Sequence, residues 1–218
     1  MPTGTVTVTQ GGSTAAGTDM AVYVITGQNA SPIGISASAT NTTPSLATGT
    51  GVTTGSWVYG SNLGLIGTYT ANGATTYKQN HGGQGLEYIS MRSTATMTGG
   101  VSATIGGTAG VNSISICLLE ILAGTGLAED ASSPGGVNST TLTVSTGSFT
   151  PPASSLLVAM VQTNGNLVVT VTMSDTLGGL TWTERVKQNS SGNGYAGIWT
   201  APVPAATVST GMLLAGDI

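Results

Sequence analysis

The chain holds one histidine, His81, inside the stretch Lys78-Gln79-Asn80-His81-Gly82-Gly83-Gln84-Gly85. A single imidazole cannot build a histidine-rich metal cluster within one chain, and only a trimer axis would bring several together. A Ser/His/Asp relay would have to use this residue, yet no nucleophile-elbow pattern leads into a helix. The carboxylates Asp19, Glu87, Glu120, Glu129, Asp130, Asp175, Glu184 and Asp217 are scattered. Glycoside hydrolysis needs two carboxyls facing one cleft, and a calcium loop needs several at close spacing. Cys117 lies in the apolar run Ile114-Ser115-Ile116-Cys117-Leu118-Leu119 and reads as a small buried hydrophobe, with no cation near it in sequence to make a thiolate. The Gly-rich stretches differ from phosphate-binding loops, because the lysine precedes the glycines and a strand follows. No catalytic, metal or cofactor residue is singled out, and the chain is expected not to be an enzyme.

The elements that must carry these residues follow from composition. Gly, Thr and Ser dominate the 218 residues, charged side chains are 6%, and hydrophobic residues are 39% with many Val and Ile. β-Branched residues fit a pleated surface and Gly supplies tight turns, so the chain reads as all-β with many short strands. A net charge of -4 from so few charges leaves no basic patch for phosphates, which argues against nucleic acid. The first residues lack a signal-peptide pattern, and no apolar run reaches the roughly 20 residues that span a bilayer.

Strands are expected at Thr5–Thr9, Met20–Thr26, Ser56–Gly60, Tyr88–Met91, Val101–Thr104, Ile114–Leu122, Thr140–Ser145, Leu156–Gln162, Leu167–Met173, Leu180–Arg185, Ala196–Thr200 and Thr207–Leu214. Residues 125–137 gather Gly, Ser, Pro and acid and read as a linker, which makes Glu129 and Asp130 solvated. Glu120, inside an apolar strand, would pair with Arg92 or Lys78 or face solvent at an edge. The aromatics Trp57, Tyr59, Tyr69, Tyr77, Tyr88 and Tyr195 mostly alternate with apolar residues and read as core.

Self-comparison shows a repeat. Lys78-Gln79-Asn80 returns as Lys187-Gln188-Asn189, with Gly85 answering Gly194 and Ile89 answering Ile198. Upstream, Trp57-Val58-Tyr59 corresponds to Leu156-Leu157-Val158. The second copy replaces His81 with Ser190, so both stretches read as polar turns in which the histidine is dispensable and exposed. A second echo sets Val6–Ser13 beside Val101–Thr108, and Val22–Gly27 beside Leu119–Gly124. The chain thus opens with what looks like the closing strand pair of a repeat, and the second repeat lacks that pair. An unpaired sheet edge is a liability. Met20, Val22, Val24 and Thr26 are therefore expected to fill the vacancy, within the chain or in a neighbouring subunit.

Phe149-Thr150-Pro151-Pro152-Ala153-Ser154-Ser155-Leu156-Leu157-Val158-Ala159, then Gly179-Leu180-Thr181-Trp182-Thr183 and Tyr195-Ala196-Gly197-Ile198-Trp199-Thr200-Ala201, resemble a β-sandwich repeat of tailed bacteriophages. Such units occur in structural proteins of phages of actinobacteria, of minor tail or capsid-associated type. The resemblance covers roughly Thr140 to Pro204 and is looser in the first repeat, where Ser90 stands in the place of Trp199. It implies a virion structural protein without separating head from tail.

The expected architecture is two tandem antiparallel, jelly-roll-like β-sandwiches: an N-terminal strand pair at 1–28, a first repeat at 29–124, a linker at 125–137 and a second repeat at 138–218. The expected role is a non-enzymatic capsid decoration or cement protein located in the virion, using no cofactor. Its partners would be the major capsid protein and copies of itself, as a homotrimer, with no direct nucleic acid and no membrane. The alternatives are a minor tail protein held by other tail proteins, and a carbohydrate-binding adhesion module.

Overall fold

The computed structural model describes residues 2–11, 17–65, 67–83, 85–109, 113–164, 170–190 and 194–205. These are all-β, with no helix among the described residues and antiparallel pairing throughout. The strands in chain order are β1 Val6–Gly11, β2 Thr18–Ala39, β3 Ser45–Ala47, β4 Trp57–Leu65, β5 Tyr69–Ala71, β6 Thr75–Gly83, β7 Leu86–Ser93 and β8 Thr104–Ala109. They continue as β9 Ser113–Glu129, β10 Gly135–Ser139, β11 Thr143–Ser145, β12 Leu156–Thr163, β13 Thr170–Asp175, β14 Thr183–Ser190 and β15 Gly194–Pro202.

Two small sheets, β11-β1-β13 and β3-β8-β5, flank one large ladder, β14-β15-β12-β2-β9-β4-β7-β6, with β10 also on β2. The large ladder doubles back on itself. β14 and β15 lie against β9, and β12 and β15 lie against β4, so the ladder forms two facing sheets hinged along β2 and β9. Strand alternation assigns each apolar face to a layer. Ala21, Tyr23, Ile25, Val158, Met160 and Ile198 meet Tyr59, Leu63, Tyr88, Cys117 and Leu119 in a central core. Met20, Val22 and Val24 point the other way, onto Val6, Val8, Val144 and Val171 of one small sheet. Ile116 and Leu118 likewise point onto Ile105 beside β3 and β5. The result is two β-sandwiches packed back to back.

Pairing shows how the halves are related. β2 and β9 cross antiparallel, with Ile25 opposite Glu129 and Ile33 opposite Ile121. Interchanging the two strands maps one pair onto the other, so Ile25 is the counterpart of Ile121, and Ile33 of Glu129. The relation propagates: Trp57 faces Ile121 as Leu156 faces Ile25, and Tyr59 faces Arg92 as Val158 faces Thr200. β1 through β7 and β8 through β15 are thus two copies of one unit, each sending its first strands into the other's sandwich. The first part of β2 completes the sheet of β12, β15 and β14, while the first part of β9 completes that of β4, β7 and β6.

Several expectations change. The halves are interlocked rather than strung in tandem, because β2 and β9 each serve both sandwiches. The boundary expected at residues 28 and 29 falls inside β2, which bends there through a series of register shifts. The expected linker is strand at both ends: β9 runs to Glu129 to pair with Ile25, and β10 starts at Gly135 to continue along the same edge of β2. Gly and Ser there mark the bulged crossover, where Gly126 has φ of 123° and packs tightly against Gly27. The strand expected at Val101–Thr104 begins only at Thr104. The one expected at Leu167–Met173 is described from Thr170, and Thr207–Leu214 lies outside the described residues.

Candidate functional site

The polar stretch of β6 is the place to start. Residues 78–80 and 187–189 are strand rather than turn, on the outer strands β6 and β14. Each strand carries a bulge, at Lys78 between Tyr77 and Gln79, and at Arg185 between Glu184 and Val186. Carrying the pairing register outward makes Lys78 the counterpart of Arg185, Gln79 of Val186, Asn80 of Lys187 and His81 of Gln188. The repeated Lys-Gln-Asn therefore marks equivalent strands but sits two positions out of structural register. A shift by an even number leaves every side chain on its own face, so the echo survives without equivalence.

Gln79 and His81 point toward the seam between the two sandwiches. There they meet Asp19 of β2 and Tyr88 of β7. Gln79 Nε2 donates to Asp19 Oδ2 at 2.8 Å, and His81 Nδ1 stands 3.8 Å from the same oxygen. The His81 and Tyr88 rings lie with centroids 6.1 Å apart. Asp19 is 1% exposed and Tyr88 2% exposed, yet Asp19 Oδ1, Tyr88 Oη and His81 Nδ1 have no hydrogen-bond partner among the described residues. These groups line a cavity of about 40 Å³ with Gly17, Thr18, Asn138, Ser139 and Thr140. Gly17 is required there, because a Cβ would overlap Tyr88 Oη.

Burial pushes the Asp19 carboxyl up to about 8, with the Gln79 amide opposing that shift only in part. Burial, aided by the neighbouring Asp19, likewise pushes Tyr88 up to about 12. The site thus offers a carboxyl, an imidazole and a phenol in one small space. Ser139 lines the same cavity, but its hydroxyl is engaged with Thr141, at 2.7 Å from Oγ1 and 3.0 Å from the backbone nitrogen it accepts from. The three residue types of a hydrolase are present without the hydrogen-bonded relay that would activate the serine.

Toward the middle of the seam lies an ionic group. Glu129 is ion-paired to Lys78 Nζ at 2.6 Å and to Arg92 Nε at 3.1 Å, and accepts from Tyr59 Oη at 3.1 Å. Lys78 also lies over the Tyr23 ring and Arg92 over the Trp57 ring, at 4.7 Å and 4.1 Å. Sequence reasoning placed Glu129 in solvent because it read residues 125–137 as a linker. Glu120, expected to pair with Arg92 or Lys78, is instead buried and takes donors from Ile35 N, Thr53 N and Ser56 Oγ at 3.0, 2.6 and 2.7 Å. It ties β2 and the segment before β4 to β9, a role that only tertiary contact reveals.

The remaining expected residues are placed as follows. Met20, Val22 and Val24 are fully buried in the first part of β2, which pairs with β12 from Leu156 opposite Ile25 to Thr163 opposite Thr18. Thr26 is half-buried at the bend, its hydroxyl donating to Ala128 O at 3.4 Å. Asn80 is exposed, Lys187 pairs with Glu184 at 2.7 Å, and Gln188 Nε2 donates to Thr40 Oγ1 at 3.1 Å. Asn189 is half-buried opposite Tyr195. Cys117 is fully buried, and burial raises its thiol far above the ordinary range. Among the described residues no three His, Cys, Asp or Glu side chains cluster as a metal site, and no helix is long and apolar enough to cross a membrane. Compared with protein-family models, with curated proteins and with solved structures, the chain matches none.

Proposed function

We propose that this chain is a non-enzymatic structural protein of a phage virion, one that decorates and cements the capsid. The resemblance of the second repeat to phage sandwich units supports the setting. The observation that carries the role is the outer face of the sheet β11-β1-β13. There Thr9, Thr143, Ser145 and Thr172 are exposed in an uncharged array, cross-linked by Thr7 to Ser145 at 2.7 Å and by Thr143 to Thr9 at 3.3 Å. A hydroxyl face on an interlocked double sandwich suits repeated packing against a lattice, because little charge must be desolvated when it is covered.

In this reading the partners are the major capsid protein and further copies of the chain, arranged as a trimer, and the protein resides in the virion. The aromatic side chains favour it over a sugar-binding platform. Among the described residues, the exposed large hydrophobics are Leu65, Val101 and Leu142, none of which can stack on a sugar ring as an aromatic does.

Copy number decides between the alternatives. Quantitative mass spectrometry and cryo-electron microscopy of purified particles should find the chain in hundreds of copies on heads. A few copies that follow the tail would make it a minor tail protein, and absence from particles would overturn the virion reading.

A further inference from the structure

The cavity at the end of the seam has features of a ligand site that a structural polar pair would not need. Its walls come from both sandwiches: Asp19 and Asn138 from β2 and β10, His81 and Tyr88 from β6 and β7, with Gln79 behind them on Asp19. Asp19 and Tyr88 are almost wholly buried, and each presents an oxygen with no hydrogen-bond partner among the described residues. Leaving such groups buried and unpaired is costly, because their hydration is lost without replacement. The pairing distance is equally telling. His81 Nδ1 and Asp19 Oδ2 are 3.8 Å apart, too far for a hydrogen bond. Two ligands bound to one ion at about 2.0–2.2 Å each stand at a similar separation when the angle between them is somewhat wider than tetrahedral.

The opposite end of the seam provides the control. There the equivalent positions hold Ser115, Val186, Gln188 and Ala196 in place of Asp19, Gln79, His81 and Tyr88. Gln188 satisfies itself on Thr40, and Ser115 Oγ donates to Gly194 O at 3.3 Å. The fold therefore closes this seam without a carboxylate or an imidazole. The set at the first end is an addition to the scaffold.

The geometry assigns to this cavity a single divalent cation of the zinc type, held by His81 Nδ1 and the Asp19 carboxylate, with the Tyr88 hydroxyl and water completing the shell. Imidazole with carboxylate suits a borderline ion of this class, and the volume of about 40 Å³ admits the ion with one or two waters but no larger ligand. Gln79 is the outer support, since its amide holds the carboxylate oxygen that faces the imidazole. The bound ion ties β2 of one sandwich to β6 and β7 of the other, a clasp across a joint otherwise closed by packing.

Cobalt(II) is the probe, because its visible bands report the ligand set directly. The full chain, stripped with chelator and titrated with Co²⁺, should develop bands of nitrogen–oxygen coordination that Zn²⁺ displaces. Its melting midpoint should rise by roughly 5–10 °C at a hundredfold excess over Kd. His81→Gln, which copies the residue at the other end, and Asp19→Asn should both remove the bands and the shift while remaining folded. Unchanged spectra and melting at millimolar metal would overturn the assignment. So would bands or a shift that persist in His81→Gln, since the ion would then sit elsewhere.

Discussion

At one end of the seam Asp19, Gln79, His81 and Tyr88 face one another, and Lys78, Arg92 and Glu129 follow toward the middle. At the other end the same backbone positions hold Ser115, Val186, Gln188 and Ala196, then Arg185, Thr200 and Ile33. The strand pairing is the same at both ends. A duplicated scaffold has thus kept its ladders and its central apolar layer while one end became ionic and the other holds no carboxylate or imidazole at the same positions. Arg185, without a carboxylate across the seam, donates to Thr200 Oγ1 at 2.7 Å. The comparison separates what builds the fold from what was placed on it. Alternating Val, Ile, Leu and Tyr recur in both halves and hold the layers, whereas the buried charges occur once.

The largest expected effect tests the acidic end by pH. Asp19 is faced by Gln79 from β6, by His81 from β6 and by Tyr88 from β7, and His81 alone among them can carry a positive charge. Its folded pKa, raised to about 8, lies above the unfolded value near 4. The folded state therefore keeps a proton that the unfolded chain gives up. The stability this confers is full below pH about 4 and is lost as pH rises through 8, by up to roughly 5 kcal/mol. Urea denaturation in chelator should show this decline, and Asp19→Asn should flatten it. Ser115→Asp should import a similar decline to the other end.

Glu120 and its counterpart Val24 give the next contrast. Glu120→Ala removes the acceptor of Ile35 N, Thr53 N and Ser56 Oγ and should cost about 3–5 kcal/mol, against roughly 2 for Val24→Ala, measured by equilibrium unfolding. The ionic group should be smaller. Glu129→Ala leaves Lys78 and Arg92 without their acceptor and should cost about 2–4 kcal/mol. Replacing Lys78, Arg92 and Glu129 together by Met, Leu and Leu should be close to neutral, since no buried charge is then left unpaired. The smallest effect belongs to Lys187, whose pair with Glu184 is exposed. Lys187→Ala should stay within about 0.5 kcal/mol, although the Lys-Gln-Asn echo puts this residue on a par with Lys78.

Those contrasts also mark what the sequence could reveal. Strand positions were legible where short apolar runs are continuous, as at Val22-Tyr23-Val24-Ile25 and Leu156-Leu157-Val158, because both faces of these strands are buried. The echo of Val6–Ser13 in Val101–Thr108 fell on the stretches that hold β1 and most of β8, the first strands of the two units. The site was not. Asp19, Gln79 and His81 come from strands far apart in the chain, and only the antiparallel register, shifted by the bulge at Lys78, brings them together. Glu129 was hidden by its setting, since Gly and Ser around a bulged crossover look the same as Gly and Ser in a linker. Even the Lys-Gln-Asn echo, correct about the strands, was silent on register, because residue identity does not report a bulge.

The exchange of strands between the two copies has a consequence for synthesis. Ile25 leaves the ribosome early, but its partner Leu156 follows only after more than half of the chain has been made. At 5–20 residues per second the first strands wait on the order of ten seconds with an open edge. During that interval β2 has only its own unit to cling to, and another nascent chain on the same message could offer the same vacancy. Chain elongation and local chain concentration, rather than final stability alone, would then govern how much product folds on itself and how much becomes linked to a neighbour.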